Sequence, residues 1–336
     1  MLESKEAQQP SSVFRNLFEA MSVETLQVIG LVVAIALISI GMQTQFDVFL
    51  SMANIEVMIV NFLPEAIIAL GMTLVIITGG IDLSVAGIYP FAAILVGQLL
   101  LRDFSIPVAI ALTLAASAGI GAINAFMFTA FKVHPFIATL ATLLPLRGVN
   151  IVITDGATIS GFPERFSVIG QERLVIGSLV SVPYSVVIWL AIALLIGYAL
   201  ANHRFWRFSY FIGGNRRSAR MSGIKVDQYL YFVYMLSAAL AGLAGIIIAS
   251  QFGAASNSYG QNLELRVITA VVIGGASLFG GVGSIPGSML GVLFLAIVYN
   301  AFSMSGISTY WQDVVIGVML LIAVFLTEIL TRRRTK

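Results

Sequence analysis

Apolar segments long enough to cross a lipid bilayer recur along the whole sequence. A helix that crosses the hydrocarbon core needs about 20 mainly apolar residues. Ten segments come close to this length, so the sequence predicts an all-α, polytopic membrane bundle of about ten transmembrane helices. Their predicted bounds are 26–42, 55–78, 84–101, 106–131, 135–154, 181–201, 227–251, 264–279, 284–303 and 310–330.

The composition agrees with a membrane protein and excludes several classes of enzyme. Of the 336 residues, 59% are hydrophobic and 10% are charged, whereas soluble domains are about 25% charged. The chain has no cysteine, which excludes thiolate chemistry and cysteine-ligated metals. It also lacks the phosphate loop G-x-x-x-x-G-K-S/T and the motifs H-E-x-x-H and G-x-S-x-G. We therefore expect no enzymatic activity and no cofactor bound by this chain.

The two ends of the chain are polar and frame one transmembrane domain at 26–330. Residues 1–25 have mixed charge and do not resemble a signal peptide. We expect a cytoplasmic tail in which Ser12 to Met21 form either an amphipathic helix on the membrane surface or a solvated segment. Residues 331–336 are predicted to be a basic cytoplasmic tail.

The distribution of basic residues predicts the orientation. If both termini are cytoplasmic, thirteen of the 18 lysine and arginine residues lie inside, two lie in spans and three, Arg102, Arg165 and Arg173, lie outside. This excess follows the positive-inside rule and requires an even number of spans. The net charge of only +2 gives no general attraction to nucleic acid. The expected surroundings are membrane lipid, because the apolar segments must be buried in it.

Two Gly-Gly pairs interrupt the apolar segments at similar places in the two halves of the chain. The second span ends in ITGGIDLSVAG and the eighth in IGGASLFGGVG, which aligns Gly79 with Gly274 and Gly80 with Gly275. The similarity suggests a duplicated unit. Glycine pairs permit broken or re-entrant helices, and paired breaks are typical of a transport pathway. Both pairs are also compatible with tight turns in which glycine caps a helix.

Polar side chains inside the spans are candidate pathway residues, because they are costly in a membrane. We assign five of them to a substrate pathway: Asn61, Glu65, Gln98, Asn124 and Asn300. Each amide is also compatible with a hydrogen bond between helices. Glu65 and Arg147 are either an ion pair that holds the bundle or substrate contacts. Asp82 is expected to cap or hydrogen-bond the break at Gly79 and Gly80.

Two loops are longer than the others. The outward loop 155–180 contains glycine, proline and paired charges, and the inward loop 202–226 is basic and aromatic. In the inward loop, Asn215 can cap a short helix at 216–222 that Gly223 ends. This basic helix suits either docking to a partner protein or binding to lipid headgroups. The docking residues would be Asn215, Arg216, Arg217, Arg220, Met221 and Gly223.

Four stretches, in this order, carry a resemblance to a known family: GMTLVIITGGIDLSV (71–85), HPFIATLATLLPLRG (134–148), FIGGNRRSARMSGI (211–224) and VIGGASLFGGVGSIPGS (272–288). They resemble the permease subunits of bacterial ribose-type ABC sugar importers, over residues 24 to 330. Departures from the family pattern include Ala86, Pro145 and Arg266, the last in place of an acidic residue.

The resemblance implies an inner-membrane complex. Its parts would be two permease copies or a permease with a paralogue, a cytoplasmic ATPase with two nucleotide-binding domains that hydrolyses ATP with Mg²⁺, and a periplasmic or lipid-anchored sugar-binding protein. The segment at about 215–224 would be the coupling helix that docks on the ATPase.

The sequence and the resemblance together predict an import permease for a ribose-like monosaccharide or a related polyol. A nucleoside or branched-chain amino-acid permease with the same machinery is the alternative within transport. An ion-coupled carrier that acts alone is the alternative from another class.

Overall fold

The computed structural model describes residues 23–176, 180–308 and 310–334. The predicted helix at Ser12 to Met21, and the end of the basic tail at 335–336, lie outside the described residues. Thirteen α-helices occupy most of the described chain: α1 Val23–Gln45, α2 Met52–Ile77, α3 Val85–Leu101, α4 Ile106–Ala130, α5 Pro135–Thr154, α6 Val168–Gln171, α7 Tyr184–Asn202, α8 Arg204–Gly214, α9 Arg216–Met221, α10 Val226–Phe252, α11 Leu263–Ile273, α12 Ile285–Met304 and α13 Tyr310–Arg334.

The prediction of a helical polytopic membrane bundle is confirmed. Among the described residues, seven helices are long and apolar enough to cross a membrane, namely α1, α2, α4, α5, α7, α10 and α12, and shorter apolar helices lie at Val85–Leu101 and Tyr310–Ile322. The predicted span 264–279 is the exception. Its helix α11 has 11 residues, about 16 Å at 1.5 Å per residue, so it is a broken helix that enters the bundle without crossing it.

The core of the bundle is formed around α2 and α10. Both helices are buried along most of their length, whereas α1, α4, α5 and α7 leave most of theirs exposed. Helix α10 packs against α4, α3 and α2, and α12 packs against α2 and α11. The exposed apolar faces of the outer helices are what a lipid-facing or partner-facing surface requires.

Local signals set where the helices begin. The side chain of Ser51 accepts a hydrogen bond from the Asn54 N–H at the start of α2, and Ser284 does the same for Gly287 at the start of α12. These N-caps satisfy backbone donors that the first helical turn leaves without partners. Prolines stand in the first turns of α4, α5 and α12, where the missing N–H costs nothing.

The described part of the long loop 155–180 is folded against the bundle. It contains strand β1 (Ile159–Ser160), helix α6 and strand β2 (Arg173–Ile176), which pairs with β3 (Val180–Pro183) in an antiparallel ladder. Strand β1 pairs with β4 (Ala254–Ala255), which follows α10. Arg173 forms an ion pair with Glu56 on α2, and Ser250 on α10 bonds to the backbone of Phe166 and Gly170. The loop therefore covers the ends of α2 and α10.

Candidate functional site: two helix breaks, a charged cavity and a basic surface segment

Both Gly-Gly pairs end a helix with the same hydrogen-bond pattern. After α2, the Gly80 N–H donates to the Val75 carbonyl (3.1 Å). After α11, the Ala276 N–H donates to the Val271 carbonyl, also at 3.1 Å. This six-residue closure is the Schellman motif, which needs a left-handed residue just before its last N–H.

The left-handed residue corrects the predicted alignment of the two breaks. Gly79 has φ +72° and Gly275 has φ +99°, so these two glycines are equivalent. The sequence had matched Gly79 with Gly274 and Gly80 with Gly275, which is wrong by one position. Gly274 is instead the C-cap residue of α11, and Gly80 lies against Tyr234. The alignment erred because identical letters do not reveal which glycine has positive φ.

The two breaks contact each other. The Gly281 N–H donates to the Ile77 carbonyl (2.8 Å), one of the carbonyls that the end of α2 leaves free. Helix α8 packs against the same point through Gly213. A Cβ at Gly213 would lie 1.8 Å from the Ile77 oxygen and 2.4 Å from the Gly281 nitrogen. Only glycine allows these three segments to meet.

Asp82 lies in the first break, but its carboxylate does not bind Gly79 or Gly80. One oxygen accepts from the N–H and the hydroxyl of Ser84, at the start of α3, and the other accepts from Ser237 on α10 (3.1 Å). The expected capping of the break is therefore wrong in its target: Asp82 secures the helix that follows. The aspartate is fully buried, as are Ser84 and Ser237.

Asn124 extends this polar network to two further helices. Its amide nitrogen donates to the Ser84 hydroxyl (2.8 Å), and its oxygen accepts from Thr142 on α5. Asn124 is fully buried, so it joins α4 to α3 and α5. The structure thus favours the interhelical interpretation of this amide over substrate contact.

The other predicted pathway residues are dispersed. Asn300 exchanges two hydrogen bonds with Asn54, at 2.9 and 3.0 Å, which joins α12 to α2. Asn61 is exposed on α2, and Gln98 is half-buried on α3. The predicted pathway residues are therefore not assembled into one site.

Two ion pairs connect α11 to neighbouring helices. Arg266 pairs with Glu65 on α2, and Glu264 pairs with Arg147 on α5, each at 3.1 Å. The predicted pair of Glu65 with Arg147 is therefore wrong. The departure at Arg266 from the family pattern has a physical reason, because Arg266 is the partner of Glu65.

A polar cavity of about 350 Å³ lies beside the second of these pairs. Arg147 contributes to its wall together with the amides Asn257, Gln261 and Asn262, which connect α10 to α11. These three amides could not be recognised from the sequence, because they fall between apolar segments, where polar residues are ordinary. The one feature of the sequence that indicated this cavity was Arg147, an arginine within a predicted span.

The loop 202–226 forms the short helix that the sequence predicts. Asn215 accepts a hydrogen bond from the Ser218 N–H (3.0 Å) at the start of α9, and Gly223 follows the helix with φ +82°. Arg216 reaches back to the Thr78 carbonyl at the first break (3.4 Å). Arg220 pairs with Asp227 at 2.6 Å.

The surface of this segment is basic and partly apolar. Arg217 is exposed, the side chain of Met221 is 82% exposed, and Phe211 on α8 is 59% exposed. We call residues 204–224 the basic surface segment. It combines cations with large exposed apolar groups, and it contacts both breaks.

Comparisons with known proteins agree with this architecture. The family described as branched-chain amino acid transport system / permease component matches residues 54–324. The chain is 37% identical over 307 residues to the ribose import permease protein RbsC of Escherichia coli (strain K12), covering 91% of this chain and 94% of that protein. It is 36% identical over 278 residues to RbsC of Bacillus subtilis (strain 168), covering 83% and 85%.

A relative with another named substrate is also similar. The autoinducer 2 import system permease protein LsrC of Photorhabdus luminescens is 34% identical over 257 residues, covering 76% of each chain. These relatives are named as import permeases, and the family description is that of a transport system permease component. From the matched range and these identities, the chain, a multi-pass membrane protein, belongs to the family of branched-chain amino acid transport system permease components.

Proposed function

We propose that this chain is the permease subunit of an ATP-driven importer for a ribose-like monosaccharide or a related polyol. The observation that carries the proposal is the 37% identity to a ribose import permease over 91% of the chain. Relatives with the same printed name from Bacillus subtilis and Haemophilus influenzae are 36% and 33% identical. The family description names amino acids, which makes a branched-chain amino acid the second candidate.

The pairing of charges favours a neutral solute. An amino acid needs a charged partner for its ammonium or carboxylate group along the pathway. Glu65 and Glu264 are each paired with an arginine. Removing either partner would leave a charge uncompensated, which is unfavourable. Sugar hydroxyls need only donors and acceptors, which amides supply.

The basic surface segment is the proposed docking site for the ATPase. It would face the cytoplasm, with both termini on the same side, because the excess of basic residues lies there. Exposed Met221 and Phe211 beside Arg217 provide the apolar and charged contacts of a protein interface. ATP and Mg²⁺ would be used by the ATPase, and a second permease copy and a sugar-binding protein would complete the importer.

Import by the reconstituted complex tests the proposal. Proteoliposomes that contain the permease with its ATPase and binding protein should accumulate radiolabelled ribose only when ATP is supplied. Leucine uptake in place of ribose uptake would favour the second candidate. Uptake driven by an ion gradient through this chain alone would overturn the ATP-driven mechanism.

Substitution of one exposed methionine tests the docking site. We expect Met221→Asp to lower the amount of co-purified ATPase by about tenfold or more, as the loss of an interface anchor does. Met52→Asp is the matched control. Met52 is as exposed as Met221, but it lies at the first residue of α2, at the end of the helix away from the first break. Equal recovery of the ATPase with both variants would contradict docking at 204–224.

A further inference from the structure

The cavity beside Arg147 has the size and the lining of a binding site for a small polar solute. Its volume of about 350 Å³ lies within the range of ligand sites, roughly 300–1,000 Å³. Its wall combines a guanidinium with three amide side chains, those of Asn257, Gln261 and Asn262. The four polar side chains share the wall with Ala86, Ile151 and Gly260, so the lining is mixed although the neighbouring helices are mostly apolar.

The backbone around the cavity is irregular and held in place by specific contacts. A short 3₁₀ turn, Asn257–Gly260, lies between α10 and α11. Gly260 lets this turn approach α3, since a Cβ there would be 2.1 Å from the Ala86 oxygen. Asn262, with φ +55°, donates to Asp313 on α13 (3.2 Å). Irregular backbone within a membrane protein is tolerated where protein or a water-filled cavity satisfies it.

The charges at the cavity are balanced. Arg147 bonds to one oxygen of Glu264, and the other oxygen of this buried carboxylate has no hydrogen-bond partner among the described residues. A guanidinium has five N–H donors, and Arg147 uses one of them on Glu264. Arg147 therefore keeps guanidinium donors available to the cavity, while its pair with Glu264 contributes no net charge.

We propose that this cavity is a binding station for a neutral, polyhydroxylated solute inside the permease, with Arg147, Asn257 and Gln261 as the groups that contact its hydroxyls. The solute is a monosaccharide if the proposed function holds, and the site rests on that function for this identity. No aromatic ring belongs to the described lining of the cavity, so the sugar has no stacking platform. Binding is weak for this reason, which suits a site that must release the solute again during transport.

The absence of cysteine makes a direct test simple. Single substitutions Asn257→Cys and Gln261→Cys introduce the only thiol in the chain. Millimolar ribose should slow their modification by a methanethiosulfonate reagent several-fold in the membrane-embedded complex. Ser258→Cys is the control, because Ser258 is exposed in the same turn and does not line the cavity. Ribose should leave its modification rate unchanged.

Each result discriminates between the site and the proposed function. Modification of both cysteines without protection by ribose, in a complex that imports ribose, overturns the site and leaves the function intact. Cysteines that do not react with the reagent also overturn the site, since a binding station must be reachable from water. Protection in a complex that does not import ribose supports the site and overturns the function.

A second measurement separates contact from structural damage. Gln261→Ala should change the ratio of import rates for ribose and its epimer arabinose several-fold. The proposed hydrogen bond from the Gln261 amide depends on the orientation of a sugar hydroxyl, which differs between the two sugars. Ser258→Ala should leave this ratio unchanged. A fall in both rates with a constant ratio would show that Gln261 only supports the fold.

Discussion

The break after α2 and the break after α11 end in the same backbone cap but have different surroundings. The first is mostly buried, and its Asp82 lies in a polar network that reaches α3, α4, α5 and α10. The second is longer and only partly buried, with Phe279 67% exposed. Its contacts outside the bundle core come from α8, through Gly213 and through the Tyr210 hydroxyl, which donates to the Gly283 carbonyl (2.9 Å).

This difference assigns different mechanical roles to the two breaks. A fully satisfied buried network resists rearrangement, because every displaced group loses its partner. The first break is therefore the fixed element. The basic surface segment contacts both breaks, but the second has no comparable buried network, and its glycines at positive φ accept changes in backbone angle at little cost. If the ATPase docks on the basic surface segment as proposed, its movement would reach the bundle mainly through the second break.

The largest effect is expected at the point where α8 meets both breaks. Gly213→Ala would place a methyl group against the Ile77 oxygen and the Gly281 nitrogen. A methyl group set this close to backbone atoms costs about 3 kcal/mol or more, and about 1.4 kcal/mol corresponds to a tenfold change. Import should therefore fall by about tenfold or more. Gly214→Ala, one residue away with open space around it, should import like the wild type. Equal import by the two variants would show that the junction is unimportant.

A smaller effect is expected from opening the network at the first break. Asp82→Ala removes the acceptor of Ser84 and Ser237 and should lower the free energy of unfolding by about 2 kcal/mol. At the second break, Ser277→Ala removes only an exposed hydrogen bond to the Phe279 N–H (3.3 Å), which costs about 0.5 kcal/mol or less. Thermal unfolding of the purified permease in detergent measures both. Similar losses of thermal stability would remove the distinction between a fixed and a movable break.

The smallest effect is expected from a single hydroxyl on α8. Tyr210→Phe loses the hydrogen bond to the Gly283 carbonyl, worth about 1 kcal/mol, while the ring stays in place. The number of solute molecules imported per ATP hydrolysed should fall, and ATPase binding should not change. Tyr198→Phe, which alters an exposed tyrosine on α7, is the control. An unchanged import-to-hydrolysis ratio for Tyr210→Phe would argue against transmission through this contact.

Features encoded by neighbouring residues could be predicted from the sequence. Apolar length gave most helices to within a few residues, and the Asn215 cap and Gly223 defined the short helix α9. The start of the half-helix α11 at Leu263 is within one residue of the predicted 264, whereas the predicted end at 279 runs past its actual end at Ile273, where the Gly-Gly pair follows. Local chemistry decides such features, so a single sequence suffices for them.

Features that depend on contacts between distant residues could not be predicted. Glu65 and Arg147 are both deep in spans, but the helix packing gives each a different partner on α11. Asn124 has the same amide as Asn257, and only the fold shows that the first is enclosed in a network while the second lines a cavity. The ladder of β2 with β3 in the outward loop likewise depends on how the chain returns to α7.

The relative motion of the two breaks tests the central claim most directly. Spin labels at cysteines introduced in place of Phe131, Ser218 and Phe279, all exposed, allow two distances to be measured in the complete complex with and without ATP. The label at 131 follows α4, which the polar network joins to the first break. With ATP, the distance from 218 to 279 should stay constant, and the distance from 131 to 279 should change by more than about 2 Å, beyond a small helix shift. A constant distance from 131 to 279 with a changing distance from 218 to 279 would contradict the account.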